Sequence, residues 1–266
     1  MYRPYILCLS KCRTGKRIVM WIKTVTFTGA DDTIDPVELA KISEKNSFVE
    51  WGILFPSTGG FRFPSKEWLR RLYEVNLKSP MRLSAHLCEP FVPWLVSHGD
   101  SMQVIEREIG SDIWAMFKRV QINLHGHPYT FHSNFLEEIK ATPNKEFILQ
   151  IDNVNDAFTE AVDLPNTSLL VDTSSGAGYF ANEWPKYQEK KYGYAGGLGM
   201  DTLPQAIEKW DKDNLFIEWI DMETKIRERG DFSIPIVEQV IEYLKPFIWL
   251  GKRDVLKEDK YARATN

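Results

Sequence analysis

Polar side chains occur two residues apart at the ends of several segments that are otherwise apolar. Thr26 and Thr28, for example, alternate with Val25 and Phe27, and residues at this spacing share one face of a β-strand. The full set of polar rows is Thr24, Thr26 and Thr28; Ser84, His86 and Cys88; Gln121, Asn123 and His125; Gln150 and Asp152; and Asp221 and Glu223. The apolar faces must pack against helices, so we expect the polar rows to face the inside of the sheet.

These rows admit two interpretations, because burying a polar group without a partner costs about 2–7 kcal/mol on transfer scales. For residues deep in the strands, such as Thr24, Ser84 and Gln121, we expect hydrogen bonds that stabilise the interior. For residues at the carboxyl ends we expect a ligand site, because carboxyl, imidazole and thiol groups can together donate and accept protons. The residues at these ends are Thr28, His86, Cys88, His125, Asp152, Asp172 and Glu223.

Strand-like and helix-like segments alternate along the chain after Met20. Segments rich in β-branched and aromatic residues predict strands at 22–28, 49–55, 81–88, 120–125, 147–152, 168–173, 192–196 and 216–222. This alternation predicts parallel pairing through crossover helices. We therefore expect an α/β fold with residues 20–250 in a single (β/α)8 TIM barrel, eight parallel strands inside an outer ring of helices. An open doubly wound sheet would show the same alternation.

Helix boundaries are also visible in the sequence. Asp35 before Pro36 predicts an N-cap and a proline in the first turn. Asp201 is the expected cap of the seventh helix and Ser233 of the eighth. Residues 89–118 are long for one helix, so we expect two helical pieces in the third crossover.

Composition narrows the function classes. The chain has 266 residues, 43% of them hydrophobic, and a net charge of −4 with no basic face, which gives no reason to expect a nucleic-acid partner. No apolar stretch approaches the roughly 20 residues that span a bilayer, so no membrane partner is expected. Its three cysteines fit a reducing compartment, and hence the cytoplasm, better than a disulfide framework. A monomer and a homodimer are both compatible with the sequence.

The two ends of the chain differ from the rest. Residues 1–19 contain five Lys or Arg and no acid, and they precede Met20 and the first predicted strand. We expect an extension outside the barrel here, with a transit-like leader as the alternative. Residues 251–266 are charged and predict a solvated tail.

Six short motifs lie at the ends of the predicted strands. They are VTFTG at 25–29; GILFPS at 52–57 followed by Arg62; QINLHG at 121–126; LLVD at 169–172 followed by GAG at 176–178 and Trp184; AGGL at 195–198; and ID at 220–221. In this order, over about residues 21–245, they resemble the phosphoribosylanthranilate isomerase family. The resemblance implies a (β/α)8 barrel and an Amadori rearrangement of a phosphorylated aminosugar, which an acid opens and a base completes.

The resemblance also implies roles for individual residues. Asp172 matches the family's acid, although it could equally cap the turn that follows it. Thr28 stands where the family has its basic cysteine, and a threonine hydroxyl titrates far too high to act as that base unaided. The expected base is therefore His86, with Cys88 and His125 as further candidates.

Substrate and phosphate contacts can be assigned in the same way. The expected substrate-binding residues are Thr28, Arg62, Gln121, Asp152, Asp221 and Glu223, and the expected phosphate-binding residues are Gly176, Gly178, Gly196 and Gly197. Where the family has Ser-Ser-Gly after its eighth strand, this chain has Glu223-Thr224-Lys225. Glu223 would repel a phosphate unless Lys225 or Arg227 offset its charge.

Three hypotheses follow for the function. The first is an isomerase-like enzyme without a cofactor that acts on a small sugar-derived or carbonyl substrate, phosphorylated or not. The second is a metal-dependent sugar isomerase, epimerase or lyase with a divalent ion. The third is a non-catalytic barrel that binds a small ligand. In the second, the metal ligands would come from His86, His125, Asp152, Asp172, Asp221 and Glu223.

Overall fold

The strands of the chain close into one parallel barrel. The computed structural model describes residues 21–56, 58–124, 132–151, 163–172, 174, 178–180, 184, 191–213 and 216–249. Its barrel strands are β1 (Trp21–Thr28), β2 (Val49–Phe55), β3 (Arg82–Leu87), β4 (Arg119–Ile122), β5 (Glu146–Ile151), β6 (Thr167–Val171), β7 (Tyr192–Tyr194) and β8 (Phe216–Met222). Each strand pairs in parallel with the next, and β8 pairs with β1, which closes the barrel. The predicted (β/α)8 barrel is confirmed, and the open sheet is excluded.

Helices connect the strands on the outside of the barrel. Within the described residues they are α1 (Pro36–Lys45), α2 (Lys66–Lys78), α3 (Phe91–Pro93), α4 (Met102–Ile109), α5 (Ser111–Met116), α6 (Ser133–Ala141), α7 (Leu203–Lys212) and α8 (Ile234–Leu244). After β8, a 3₁₀ turn (Thr224–Ile226) leads into a short hairpin of β9 (Arg227–Glu228) and β10 (Asp231–Phe232). No helix among these is long and apolar enough to cross a membrane.

The helix ends test the predicted caps. Asp35 caps α1 as expected, because its carboxylate accepts a hydrogen bond from the Val37 N–H. Asp201 does not cap α7: Thr202 is the N-cap residue, and the Asp201 carboxylate instead pairs with Lys225. Ser233 does occupy the N-cap position of α8, although its side chain makes no capping hydrogen bond.

The third crossover is divided more finely than predicted. α3 continues as a π-helical turn over Trp94–His98, and α4 and α5 follow as separate pieces. Gly99 and Gly110 end the first two of these pieces with φ values of 70° and 98°, which favour glycine. The prediction of two helical pieces was therefore wrong in number, because each of these glycines ends a helical piece.

The interior of the barrel is divided into an apolar and a polar part. An apolar cluster lies apart from the core between strands and helices, and it consists of Ile148 of β5, Leu170 of β6, Trp219 of β8 and Ala195 directly after β7. Nine of the predicted inward-facing polar side chains are buried as well, and they are Thr24, Thr26, Thr28, Ser84, His86, Gln121, Asn123, Gln150 and Asp221. Cys88 and Glu223 are half-buried, and His125 and Asp152 lie outside the described residues. Residues 1–19 and 251–266, the two predicted segments outside the barrel, lie outside the described residues.

Candidate functional site

A cavity opens at the carboxyl ends of the strands. It encloses about 530 Å³ of empty space, including its opening to solvent. Of the predicted site residues, the structure brings eight together in its lining, and they are His86, Gln121, Asp172, Gly178, Gly196, Gly197, Asp221 and Glu223. Barrel enzymes carry their chemistry at this end of the strands.

Asp221 supplies a buried carboxyl near the end of β8. Only 7% of the residue is exposed, and its Oδ1 accepts a hydrogen bond of 2.6 Å from the Thr28 hydroxyl on the neighbouring strand. Burial raises the pKa of Asp221 to about 7, and the negative charges of Glu223 and Glu50 raise it further against the opposing effect of Thr28. Asp221 therefore gains and loses a proton near neutral pH.

Asp172 supplies a second carboxyl directly after β6. Its Oδ2 accepts from the Gln150 amide at 3.0 Å, and its Oδ1 accepts from the Ser174 N–H at 3.0 Å and the Ser174 hydroxyl at 2.7 Å. The Ser174 bonds are those of a turn-capping aspartate, so the turn role considered for Asp172 is real. Because Asp172 also lines the cavity, the turn fixes the carboxyl at its wall.

His86 points inward from β3 against a glycine of β2. A Cβ on Gly52 would lie 2.3 Å from the Thr28 Oγ1 and 2.8 Å from the His86 Nε2, so only glycine leaves room for both side chains. Neither ring nitrogen of His86 has a hydrogen-bond partner, although the residue is 1% exposed. Burial, with the positive charge of Arg119, lowers the pKa of His86 to about 3, so the ring is a neutral imidazole at neutral pH.

Cys88 lies one inward position beyond His86, where it is half-buried. The Asn123 amide donates to its Sγ at 3.2 Å. Burial nevertheless raises the pKa of the thiol to about 11, so the thiolate is scarce at neutral pH. These conditions weigh against Cys88 as the proton acceptor.

Arg62 reaches the site indirectly, from the loop after β2. Its guanidinium donates to the Glu223 carboxylate at 2.6 Å, while its backbone N–H donates to Asp31 at 2.9 Å. Arg62 has a positive φ of 60°, a conformation that is uncommon outside glycine and is held here by the Asp31 contact. Arg62 thus offsets the charge of Glu223 at the cavity rim, and Arg227 contacts Asp31 rather than the cavity.

Beneath the cavity lies a charged pair that the sequence analysis missed. Glu50 of β2 is 2% exposed, and its Oε1 accepts from Arg119 at 2.6 Å and from the Thr26 hydroxyl at 2.9 Å. Arg119 also lies 4.3 Å from the centre of the Trp219 ring. The period-two rule could have found Glu50, because it precedes the inward-facing Gly52 by two residues.

Three of the predicted residues, His125, Asp152 and Gly176, lie outside the described residues. In the part of the chain that the structure describes, no three His, Cys, Asp or Glu side chains come close enough together to hold a metal ion. The residues proposed as metal ligands that are described, among them His86, Asp172 and Asp221, do not form such a group.

No protein-family model matches the chain, and no curated protein matches its sequence. Among solved structures it is similar to the YdjI aldolase from Escherichia coli K12, with 12% identity, 85% of this chain and 91% of that chain covered, and a TM-score of 0.49. It is also similar to an AP endonuclease of family 2 from Brucella melitensis, with 9% identity, 86% of this chain and 99% of that chain covered, and a TM-score of 0.46. A third similar structure is a xylose isomerase domain protein from Alicyclobacillus acidocaldarius, with 12% identity, 84% of this chain and 98% of that chain covered, and a TM-score of 0.44. One barrel architecture hosts many chemistries, so these similarities say nothing about a reaction of this chain.

Proposed function

We propose that the chain is an isomerase-like enzyme, similar to phosphoribosylanthranilate isomerase, that acts on a small sugar-derived or carbonyl compound by acid/base catalysis. The observation that carries the proposal is the buried carboxyl of Asp221. Its pKa of about 7 suits proton exchange near neutrality, and it lines the same cavity as Asp172. Two carboxyl groups at one cavity can divide the acid and base roles between them.

The position of Asp221 accounts for the missing first-strand cysteine. Thr28 stands at that cysteine's place in the resemblance, and its hydroxyl is hydrogen-bonded to Asp221 at 2.6 Å. A base located on Asp221 is therefore adjacent to the position that the family uses. This assignment keeps Asp172 as the acid and replaces His86, whose lowered pKa makes it a poor proton acceptor, by Asp221 as the base.

The proposed reaction moves two protons in each half, one through Asp172 and one through Asp221. Asp172 donates a proton to the carbonyl oxygen while the Asp221 carboxylate removes the proton from the adjacent carbon, which leaves an enediol or enolamine. Asp221 then returns its proton to the former carbonyl carbon, and Asp172 takes the proton of the neighbouring hydroxyl or amine. Proton count and charge are the same before and after the cycle.

Proton removal from carbon gives a direct test, because it exchanges hydrogen with solvent. We expect a panel of aldoses and ketoses, incubated with the protein in D₂O and followed by proton NMR, to take up deuterium at the carbon next to the carbonyl. Asp221→Asn and Asp172→Asn should each slow this exchange by about 10²–10⁴-fold. Asp231→Asn, at an exposed aspartate of β10, is the matched control and should leave it unchanged.

Exchange that survives Asp221→Asn would contradict the proposal, and so would an absence of exchange across the panel. Phosphoribosylanthranilate itself should give no product, because Thr28 stands where that family has its basic cysteine. Measurable turnover of that compound would overturn the interpretation of Thr28.

A further inference from the structure

Several of the groups that line the cavity are hydrogen-bond acceptors. Asp172, Asp221 and Glu223 contribute carboxylate oxygens to the lining. Gln121 donates its amide to Asn123 at 2.9 Å, which leaves its own carbonyl oxygen for the cavity. A ligand that fits this lining must therefore supply hydrogen-bond donors.

The cations near the cavity are already paired. Lys225 is the cationic residue among the described lining residues, and its Nζ bonds to the Asp201 carboxylate at 2.5 Å. Arg62 is bonded to Glu223. A phosphate, which presents acceptor oxygens and negative charge, would meet carboxylates without an uncommitted cation from these residues.

The glycine turn after β7 lies close to its neighbours. A Cβ on Gly196 would lie 3.1 Å from the Asp172 Oδ1, so this carboxylate stands directly against the turn. A Cβ on Gly197 would lie 2.5 Å from the Phe180 backbone nitrogen and 2.6 Å from the Gly178 carbonyl oxygen. The turn packs against neighbouring backbone on one side and a carboxylate on the other.

His86 provides the independent sign of a ligand. His86 lines the cavity, and both of its ring nitrogens are buried without a hydrogen-bond partner, which is a costly arrangement for a polar ring unless a bound molecule completes it. A neutral imidazole offers one N–H donor and one nitrogen acceptor. A hydroxyl group, which both donates and accepts, satisfies either nitrogen.

We infer that the cavity binds an uncharged polyhydroxy compound of the free-sugar class, with a ligand hydroxyl on His86, and excludes its phosphorylated counterparts. This inference rests on the proposed function for the identity of the site. It differs from the phosphate-binding role expected for Gly178, Gly196 and Gly197, which line the cavity.

The test compares free sugars with their phosphates. The probes are D-ribose, D-xylulose and D-glucose, each paired with its terminal phosphate ester, titrated into ¹⁵N-histidine-labelled protein and followed through the ring nitrogens of His86. At least one free sugar should shift the His86 signals and bind at least tenfold more tightly than its ester. A large excess of inorganic phosphate should leave that binding unchanged.

His86→Phe retains an aromatic ring and removes the nitrogens, so it should weaken sugar binding at least tenfold by calorimetry. His86→Gln restores a donor and an acceptor and should recover part of the affinity, which a purely structural role would not explain. Tighter binding of any ester, competition by inorganic phosphate, or an absence of binding by every free sugar would overturn the inference.

The outcome is separable from that of the proposed function. Free sugars that bind without deuterium exchange would refute the proposed isomerase and leave the ligand class standing. Phosphate esters that bind and take up deuterium would support the proposed isomerase and refute the inferred ligand class.

Discussion

Replacing Asp221 by asparagine should stabilise the protein above neutral pH, although the residue lies at the centre of the proposed site. The pKa of this buried carboxyl is about 7 in the folded protein, against an ordinary value of 3.8. A carboxyl whose pKa is raised by folding favours the folded state most below about pH 4. Its contribution falls as the pH rises and becomes constant above about pH 7.

The size of the effect follows from the shift in pKa. Each unit is worth about 1.36 kcal/mol, so the folded protein loses roughly 4 kcal/mol over the whole window and about 2–3 kcal/mol between pH 5 and pH 8. Asparagine carries no charge and can still accept the Thr28 hydroxyl hydrogen bond. The difference in unfolding free energy between Asp221→Asn and the wild type should therefore grow by about 2–3 kcal/mol in favour of the variant from pH 5 to pH 8.

Urea unfolding of both proteins at a series of pH values measures this difference, in which the titrating groups that do not interact with Asp221 cancel. Asp231→Asn, at an exposed position, should show no such trend. A difference for Asp221→Asn that stays constant with pH, or that turns against the variant as the pH rises, would refute the assignment of a raised pKa.

Three further predictions concern residues around the site. Arg119→Met should destabilise the protein by about 3–5 kcal/mol in urea unfolding, because it leaves the Glu50 carboxylate buried without a cation. The double variant with Glu50→Gln should recover most of the lost stability. A double variant as unstable as Arg119→Met would contradict the explanation. Gly52→Ala should cost about 1–3 kcal/mol and slow deuterium exchange, because its Cβ would lie within 2.8 Å of the His86 ring; a variant as stable and active as the wild type would show that the ring has room to move. With the other two cysteines replaced by serine, Cys88 should react with iodoacetamide at neutral pH about 100-fold more slowly than a cysteine of ordinary pKa, because less of its thiol is ionised. A rate equal to that of a free thiol would show that the pKa of Cys88 is not raised.

The fold could be predicted from the sequence because its signals are repeated along the chain. Eight segments of strand composition separated by helix-length intervals leave few arrangements, and right-handed parallel crossovers reduce these further. The inward direction of the polar rows followed from the need for an apolar outer face, as Thr26 and Val25 illustrate. The failed cap at Asp201 has a long-range cause: Lys225, from the loop after β8, binds that carboxylate instead.

The sequence predicted several of the residues that form the site, but not the role of each one. The period-two rows placed Asp221 and His86 at one end of the barrel, the LLVD motif placed Asp172 there, and the structure brings all three to one cavity. Their proton affinities depend on burial and on neighbours from other strands, which no local pattern contains. Thus Asp221, not His86, has a pKa near neutrality, although His86 was the expected base. Glu50 was missed altogether, because its partner Arg119 is distant in the chain.

The central claim is that Asp221 exchanges a proton near neutral pH at the cavity. Carbon-13 NMR of protein labelled at the aspartate carboxyl groups measures this directly, with the Asp221 signal assigned as the one lost in Asp221→Asn. The account predicts a midpoint near pH 7 for that signal. A midpoint close to the ordinary value of 3.8 would leave Asp221 ionised throughout the neutral range and would contradict its proposed role as the proton-exchanging base.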